Sequence, residues 1–157
     1  MHVATAQSSV LPYPAVVART QRAEKVLPCE PRSAAVARRF VQATLHAWEW
    51  PGADDVVSLL VSELVTNALL HARTDVRVHV TQKGTRMRVA VTDHAVRQPT
   101  HRDHTAGSTT GRGLELVDAL AAEWGVDSVR GGKTVWFELE RSEEEQERPV
   151  GSGRSTR

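Results

Sequence analysis

The sequence has a single cysteine, Cys29, among its 157 residues. One thiol cannot form an intramolecular disulfide, and it leaves no second thiol for a cysteine-rich zinc site. An excess of either charge is also missing, because 20 Lys and Arg stand against 19 Asp and Glu, for a formal net charge of +1. This balance argues against broad electrostatic binding to nucleic acid or to a membrane. The cysteine content favours a reducing, cytoplasmic location.

Long hydrophobic runs are absent as well. No apolar run approaches the roughly 20 residues that cross a bilayer, and no Lys or Arg precedes Arg19, as a signal peptide would require. We therefore expect a protein that is neither secreted nor embedded in a membrane. With 40% hydrophobic and 25% charged residues, the composition is that of an ordinary globular chain with room for one domain.

The two ends of the chain lack any hydrophobic period. Residues 1–18 carry serines and prolines, and residues 141–157 are polar with Val150 as the only aliphatic side chain. Both compositions are typical of flexible tails. The sequence thus predicts one folded domain over residues 19–140 between two tails.

Hydrophobic spacing in the middle of the chain predicts three helices. The first follows Pro31, and the second follows a cap at Asp54 or Asp55 and has the broadest apolar face. The third is predicted over residues 113–124, after a long irregular segment at residues 94–110.

Alternating hydrophobic residues predict the strands. Residues 22–27 suggest a first strand, residues 76–81 and 87–92 a hairpin, and residues 125–129 and 133–139 a second hairpin. The resulting fold class is an α/β (α+β) two-layer sandwich, with helices packed on one face of a mixed, largely antiparallel sheet.

Polar residues recur every fourth position on the second predicted helix. Glu63, Asn67 and His71 therefore project from one side of that helix. A carboxylate can accept a proton from a hydroxyl, and an amide oxygen is a hard ligand suited to Mg²⁺ beside phosphates. A solvated helix face is the alternative interpretation, because amphipathic helices normally have one.

Two further features could contribute to a nucleotide site. Asp93 ends an apolar strand, where a carboxylate can accept a hydrogen bond from an exocyclic amine such as that of adenine, or can simply cap the loop. The segment from Gly111 to Leu114 precedes the third predicted helix, and its backbone amides could bind phosphate. A turn is the simpler explanation of these glycines. No P-loop pattern occurs, and Leu116 stands where a dinucleotide fingerprint needs its third glycine.

Histidines and tryptophans allow other functions. The histidines at 94, 101 and 104, with Asp103, have spacings that zinc sites use, but they share one irregular segment with no second fixed element, so surface histidines are the better interpretation. The four tryptophans lie on separate elements, outside any basic cluster, which favours packing over the stacking of nucleic-acid bases.

In chain order, the strings SELVTNALLHA, VAVTDHAVRQP, TTGRGLELVDALAAEWGV and GGKTVWFEL resemble the nucleotide-binding boxes of the GHKL ATPase and kinase superfamily. Together these boxes span residues 62–139. Within the superfamily, the sequence is most similar to small bacterial anti-sigma-factor serine/threonine kinases of the actinomycete type. The resemblance implies a Bergerat-type ATP-binding fold.

The same resemblance implies roles for individual residues. Asn67 would hold Mg²⁺ and Glu63 would act as the catalytic base. Asp93 would hold the adenine amino group, and Thr134 would support that contact directly or through water. Backbone donors to the phosphates would come from Gly111, Arg112, Gly113 and Leu114, beneath a lid formed by residues 97–110.

One position departs from the superfamily pattern. Members usually carry Asp-x-Gly after the adenine-binding strand, whereas this chain has Ala95 two residues after Asp93. Because glycine lets backbone approach the purine closely, we expect Ala95 to lower the affinity for ATP.

The implied activity is that of a Mg-ATP-dependent serine/threonine protein kinase that binds a sigma factor and phosphorylates an anti-anti-sigma partner. Dimerisation is also implied by the resemblance. An ATP-binding partner-switching module without phosphotransfer and a nucleotide-independent interaction domain remain alternatives. A sensor histidine kinase is disfavoured, because 157 residues leave no room for dimerisation and phosphoacceptor helices before the ATP-binding module.

Overall fold

The computed structural model of the chain describes residues 20–94 and 109–141, with side chains described from residue 113 onward in the second range. In chain order the elements are β1 (Thr20–Leu27), α1 (Ser33–Ala47), α2 (Asp54–Ala72), β2 (Val76–Lys83), β3 (Arg86–Asp93), α3 (Thr109–Leu120), β4 (Glu123–Val129) and β5 (Gly132–Glu140). The five strands form one sheet in the order β1-β2-β3-β5-β4. All four neighbouring pairs are antiparallel. The predicted two-layer α/β architecture is confirmed, with a described sheet that is antiparallel throughout.

The core lies between the helices and one face of the sheet. Along β2 and β3 every second residue is buried, as expected when a sheet covers a core with one face only. Cross-strand pairs such as Val78 with Val91 and Val80 with Val89 place these side chains on the same face. Helix α2 adds six buried side chains at helical spacing, which are Val57, Leu60, Val61, Leu64, Val65 and Ala68.

The start of α2 differs from the predicted cap. The N-cap residue is Ala53, and no side chain makes a capping hydrogen bond there. Asp54 and Asp55 instead lie in the first turn of the helix, where their negative charges interact favourably with the helix dipole. The expectation of a capping aspartate is therefore wrong, although both residues still favour a helix start at this point.

Among the described residues, α2 is long and apolar enough to cross a membrane by length and composition alone. It has 19 residues, and the mean hydropathy of its 18-residue window is 1.3. The helix is not an unbroken apolar run, because it contains Asp54, Asp55 and Glu63. A core helix of a folded domain passes the same test, and the apolar side of α2 packs in the core described above.

Helix α3 begins and ends earlier than its hydrophobic spacing predicted. It spans Thr109–Leu120, so Gly111 and Gly113 lie inside its first turns and not in a turn before it. Trp124 was predicted to end this helix but belongs to β4, where it pairs with Phe137 of β5. Its indole Nε1 donates to Asp118 Oδ1 at 2.8 Å, which fixes β4 against α3.

Arg141, the first residue of the predicted C-terminal tail, makes contacts with the domain. Its guanidinium lies 4.6 Å from the centre of the Trp50 ring, which is buried. Its Nη1 donates to the Glu49 carbonyl at 3.0 Å, and its backbone N–H donates to the Thr85 carbonyl at 3.0 Å. Arg141 thus joins the connection between α1 and α2 to the end of the sheet.

We expect truncation after Arg141 to leave the melting temperature nearly unchanged, and Arg141→Ala in the full chain to lower it. Loss of the cation–π contact and of the side-chain hydrogen bond should cost about 1 to 2 kcal/mol. Differential scanning calorimetry of the two variants makes the comparison directly. Equal melting temperatures for Arg141→Ala and the unaltered chain would show that these contacts contribute nothing.

Candidate functional site

Three of the predicted site residues meet where α3 begins beside α2. A Cβ atom added at Gly113 would lie 3.0 Å from Glu63 Oε2 and 3.0 Å from Asn67 Nδ2. The glycine itself is buried, and the other two side chains are partly buried. The absence of a side chain at Gly113 therefore lets the first turns of α3 approach the polar side of α2.

The helical period of α2 explains why these two side chains point the same way. Glu63 and Asn67 are four residues apart, so they lie one turn apart on the same side of the helix. The buried side chains Leu64 and Ala68 follow them directly and turn toward the core. The polar pair is therefore held by a helix whose orientation is fixed by packing.

Asp93 lies at the end of β3 and is 1% exposed. It continues the row of core-facing positions formed by Val89 and Val91, so its carboxylate is on the helix-covered side of the sheet. The next residue, His94, donates its backbone N–H to Thr74 Oγ1 at 3.2 Å. Because Thr74 follows α2 closely, this bond brings the end of β3 beside the end of the helix that carries the polar pair.

Gly132 fixes the position of Asp93 from the neighbouring strand. A Cβ atom at Gly132 would overlap the carbonyl oxygen of Asp93, and it would lie 2.8 Å from the carbonyl carbon and 2.9 Å from His94 Cα. In the sequence, Gly132 falls in the connection between the two predicted strands at residues 125–129 and 133–139. The double glycine at 131 and 132 was the available signal, but nothing local to it points to Asp93.

Thr134 is not brought together with Asp93. In the pairing of β3 with β5, Thr134 stands opposite Thr92, and their hydroxyl oxygens are 2.8 Å apart. Because successive side chains of a strand point to opposite faces, Thr134 and Asp93 lie on opposite faces of the sheet. The residue opposite Asp93 is Lys133. Direct support of an adenine contact by Thr134 does not fit this arrangement.

The other predicted site residues are only partly described. Leu114 is partly buried and packs against the core, while Gly111 and Arg112 belong to the backbone of α3. Ala95 and residues 97–108 of the expected lid lie outside the described residues. Three members of the histidine segment, at positions 101, 103 and 104, also lie outside them. Within the described ranges no group of three or more His, Cys, Asp or Glu side chains could hold a metal ion.

The donor set at Gly113 fits a magnesium ion and phosphates. Asn67 has a side-chain amide whose Nδ2 is the atom nearest Gly113 and whose oxygen is the type of ligand that Mg²⁺ prefers. Glu63 offers a carboxylate, and the start of α3 offers backbone N–H groups with the positive end of a helix dipole. The gap at Gly113 is a cradle that a single Cβ atom would fill. The carboxylate of Asp93, which could accept a hydrogen bond from a purine amine, lies apart from this donor set, at the end of β3.

We expect Gly113→Ala to lower the affinity for Mg-ATP about 10-fold, which corresponds to roughly 1.4 kcal/mol, without destabilising the fold. The added methyl would displace the side-chain ends of Glu63 and Asn67, which are flexible, while alanine stabilises a helix interior by up to about 1 kcal/mol over glycine. Calorimetric titration and thermal melting separate the two effects. Glu115→Ala, on the exposed side of α3, is the matched control and should change neither.

Comparison with known proteins supports an ATP-binding fold. The family model of the histidine kinase-like ATPase domain matches residues 27–139 of the chain. No curated protein matches the sequence. The matched range contains β2, β3, α1, α2 and α3, together with Glu63, Asn67, Asp93 and Gly113.

The solved structures that resemble the chain include the following two. One is the crystal structure of the RsbU and RsbW domains of Rv1364c from Mycobacterium tuberculosis, with a TM-score of 0.60 and 19% identity. The other is the histidine kinase domain from the Erythrobacter litoralis EL346 blue-light activated histidine kinase, with a TM-score of 0.50 and 26% identity. Each match covers 76% of this chain, but only 32% of the first structure's chain and 64% of the second's.

The chain therefore spans less than two thirds of the length of either structural neighbour, and the likeness to the first shows the fold alone. The family match extends over far more than half of the sequence and includes the polar side of α2 and the end of β3. The chain belongs to the histidine kinase-like ATPase domain family.

Proposed function

We propose that the protein is a Mg-ATP-binding anti-sigma factor that phosphorylates a serine or threonine of an anti-anti-sigma partner. The observation that carries the nucleotide-binding part is the convergence of Glu63 and Asn67 on Gly113. At this position, which has no side chain of its own, a carboxylate and an amide lie beside the first turns of a helix. These groups can bind the phosphates of a nucleotide and their metal ion. The family to which the chain belongs is named for its ATPase domain.

The two ends of the nucleotide have different binding groups in this proposal. Asp93 accepts a hydrogen bond from the adenine amino group at the buried end of β3. Asn67 would hold Mg²⁺, and the free backbone amides in the first turn of α3, among them that of Gly111, would donate to the phosphates, because the N–H groups of Gly113 and Leu114 lie deeper in the helix. Gly132 keeps Asp93 in place, because it is the residue that lets β5 approach the Asp93 carbonyl.

Phosphoryl transfer then depends on positioning and on one proton acceptor. Glu63, beside Gly113, accepts the proton of the attacking hydroxyl, a contribution of roughly 100- to 10,000-fold to the rate. Mg²⁺, when bound, offsets negative charge on the phosphates. The packed helix α2 holds Glu63 and Asn67 in fixed relative positions, so that the base and the metal ligand act on the same phosphate end.

The anti-sigma part of the proposal rests on the similarity to small anti-sigma-factor kinases and on the fold shared with a structure that contains an RsbW domain. The proposed partners are a sigma factor and an anti-anti-sigma protein. A homodimer in the cytoplasm is part of the same proposal, and no direct contact with nucleic acid is included.

Radiolabel transfer tests the proposal. The protein is incubated with Mg²⁺ and γ-³²P-ATP in a fractionated extract of its native cell, and labelled proteins are treated with acid. We expect acid-stable label on a partner protein, as phosphoserine and phosphothreonine give. Acid-labile label would indicate phosphohistidine and would contradict the serine/threonine assignment.

Calorimetry distinguishes the two remaining alternatives. Mg-ATP binding without any labelled protein would indicate a partner-switching module that uses nucleotide only to order a protein surface. No heat of binding at millimolar Mg-ATP would indicate an interaction domain that does not need nucleotide, and it would contradict the proposed function at its first step.

A further inference from the structure

Lys133 stands directly opposite Asp93 in the antiparallel pair of β3 and β5. Residues in such positions project from the same face of a sheet, with Cβ atoms about 4.5 to 5.5 Å apart. Lys133 is partly buried and Asp93 is almost completely buried. A donor and an acceptor of hydrogen bonds therefore leave the sheet side by side at the proposed purine end of the site.

The neighbouring residues fix this register. The hydroxyls of Thr92 and Thr134 meet at 2.8 Å on the other face. Asp93, which follows Thr92, and Lys133, which precedes Thr134, must therefore lie on the helix-covered face. Gly132 closes against the carbonyl of Asp93, which holds the two strand ends together. A shift of one residue in either strand would break both contacts.

Purine bases differ in what they present to such a pair. Adenine presents an amino donor at position 6 and an acceptor at N1, whereas guanine presents an acceptor at O6 and donors at N1 and the 2-amino group. A carboxylate that faces position 6 of the purine pairs with the adenine amine and repels guanine O6. A carboxylate with an ammonium beside it can pair with either edge, because the ammonium supplies the donor that O6 or N1 requires.

We propose that Lys133 is a second residue that hydrogen-bonds to the purine base. Together with Asp93, it makes the site accept guanine as well as adenine nucleotides. This inference rests on the proposed nucleotide site. Lys133 donates to O6 of guanine or to N1 of adenine, while Asp93 accepts from the donor groups of the same base. The protein therefore binds Mg-GTP with an affinity within about 10-fold of that for Mg-ATP.

A purely structural role for Lys133 has a different signature. If the ammonium only offset the charge of the buried Asp93 carboxylate, its removal would lower thermal stability and weaken all nucleotides equally. A purine-reading role changes the ratio of the two dissociation constants. That ratio does not depend on the fraction of protein that folds, provided that both titrations use the same preparation.

The test is calorimetric titration of the full chain with Mg-ATP, Mg-GTP and Mg-ITP. Lys133→Met should raise the GTP-to-ATP ratio of dissociation constants at least about 10-fold, because O6 would lose its donor beside a carboxylate. Mg-ITP, which has O6 but no 2-amino group, should weaken in parallel with Mg-GTP. Lys133→Arg keeps a hydrogen-bond donor and should retain a low GTP-to-ATP ratio of dissociation constants. Lys83 is an exposed residue of β2, and Lys83→Met is the matched control.

The outcomes separate this inference from the proposed function. An unchanged ratio in Lys133→Met, with Mg-ATP still bound, overturns the role of Lys133 and leaves the ATP site standing. Binding of Mg-ATP but not of Mg-GTP by the wild-type protein would also overturn the role of Lys133 and would leave the proposed ATP site standing. Absence of binding of any nucleotide by the wild-type protein overturns both.

Discussion

Glu63→Gln should bind Mg-ATP as the unaltered protein does and should transfer phosphate about 100- to 10,000-fold more slowly. Glutamine has the shape of glutamate, so the contact with the Gly113 cradle is preserved, but its amide cannot accept the proton of an attacking hydroxyl. The effect should therefore appear in the rate of transfer at saturating nucleotide and not in the dissociation constant. Single-turnover labelling of the partner protein with γ-³²P-ATP measures that rate.

Glu115→Gln provides the control for this substitution, because it makes the same chemical change at an exposed position of α3. Its transfer rate should equal that of the unaltered protein. Transfer by Glu63→Gln at the unaltered rate would mean that another group accepts the proton. Loss of binding in Glu63→Gln would mean that the carboxylate holds the nucleotide itself.

Gly132→Ala should both destabilise the domain and weaken nucleotide binding. The new methyl would occupy the space of the Asp93 carbonyl, and backbone cannot yield as a flexible side chain can. We expect a loss of about 3 kcal/mol in the free energy of unfolding, at the upper end of overpacking effects. Displacement of Asp93 should weaken Mg-ATP about 10- to 100-fold, as expected for the loss of a hydrogen bond to a charged group.

The adjacent glycine provides a matched control for this prediction. Gly131 has φ +77° and nothing within 4 Å of its added Cβ, so asparagine, which tolerates this conformation, should be accepted there. Gly131→Asn should leave the affinity nearly unchanged and should lower the melting temperature far less than Gly132→Ala does. Equal stability and affinity in Gly132→Ala and the unaltered protein would refute the proposed link between Gly132 and Asp93. Thermal melting and calorimetric titration of the two variants are sufficient.

Local patterns predicted the parts of the fold that depend on one element at a time. The period of α2 and the alternation in β2 and β3 arise from burial of one side, so these elements could be identified from residues such as Leu64 and Val78. The bounds of α3 could not be identified from such a local pattern. Gly111 and Gly113 suggest a turn by local preference, but Gly113 is placed inside the helix, where it permits contact with Glu63 and Asn67.

The predictions that were wrong mainly concern features that depend on contacts between residues distant in the sequence. Trp124 continues a helical pattern, yet pairing with Phe137 makes it part of a strand. The register of β3 and β5 decides whether Lys133 or Thr134 shares a face with Asp93, and a difference of one residue reverses the answer. No hydrophobic pattern within either strand contains that information. The close approach of Gly132 to Asp93 is equally invisible in the sequence, because it depends on the same pairing.

A crystal structure of the protein with Mg²⁺ and a non-hydrolysable ATP analogue tests the central claim most directly. We predict that the adenine amino group lies against the carboxylate of Asp93 and that the phosphates lie between Asn67 and the first turns of α3, which contain Gly113. A nucleotide bound elsewhere, or no bound nucleotide at millimolar concentration, would contradict the claim that these residues form one ATP site.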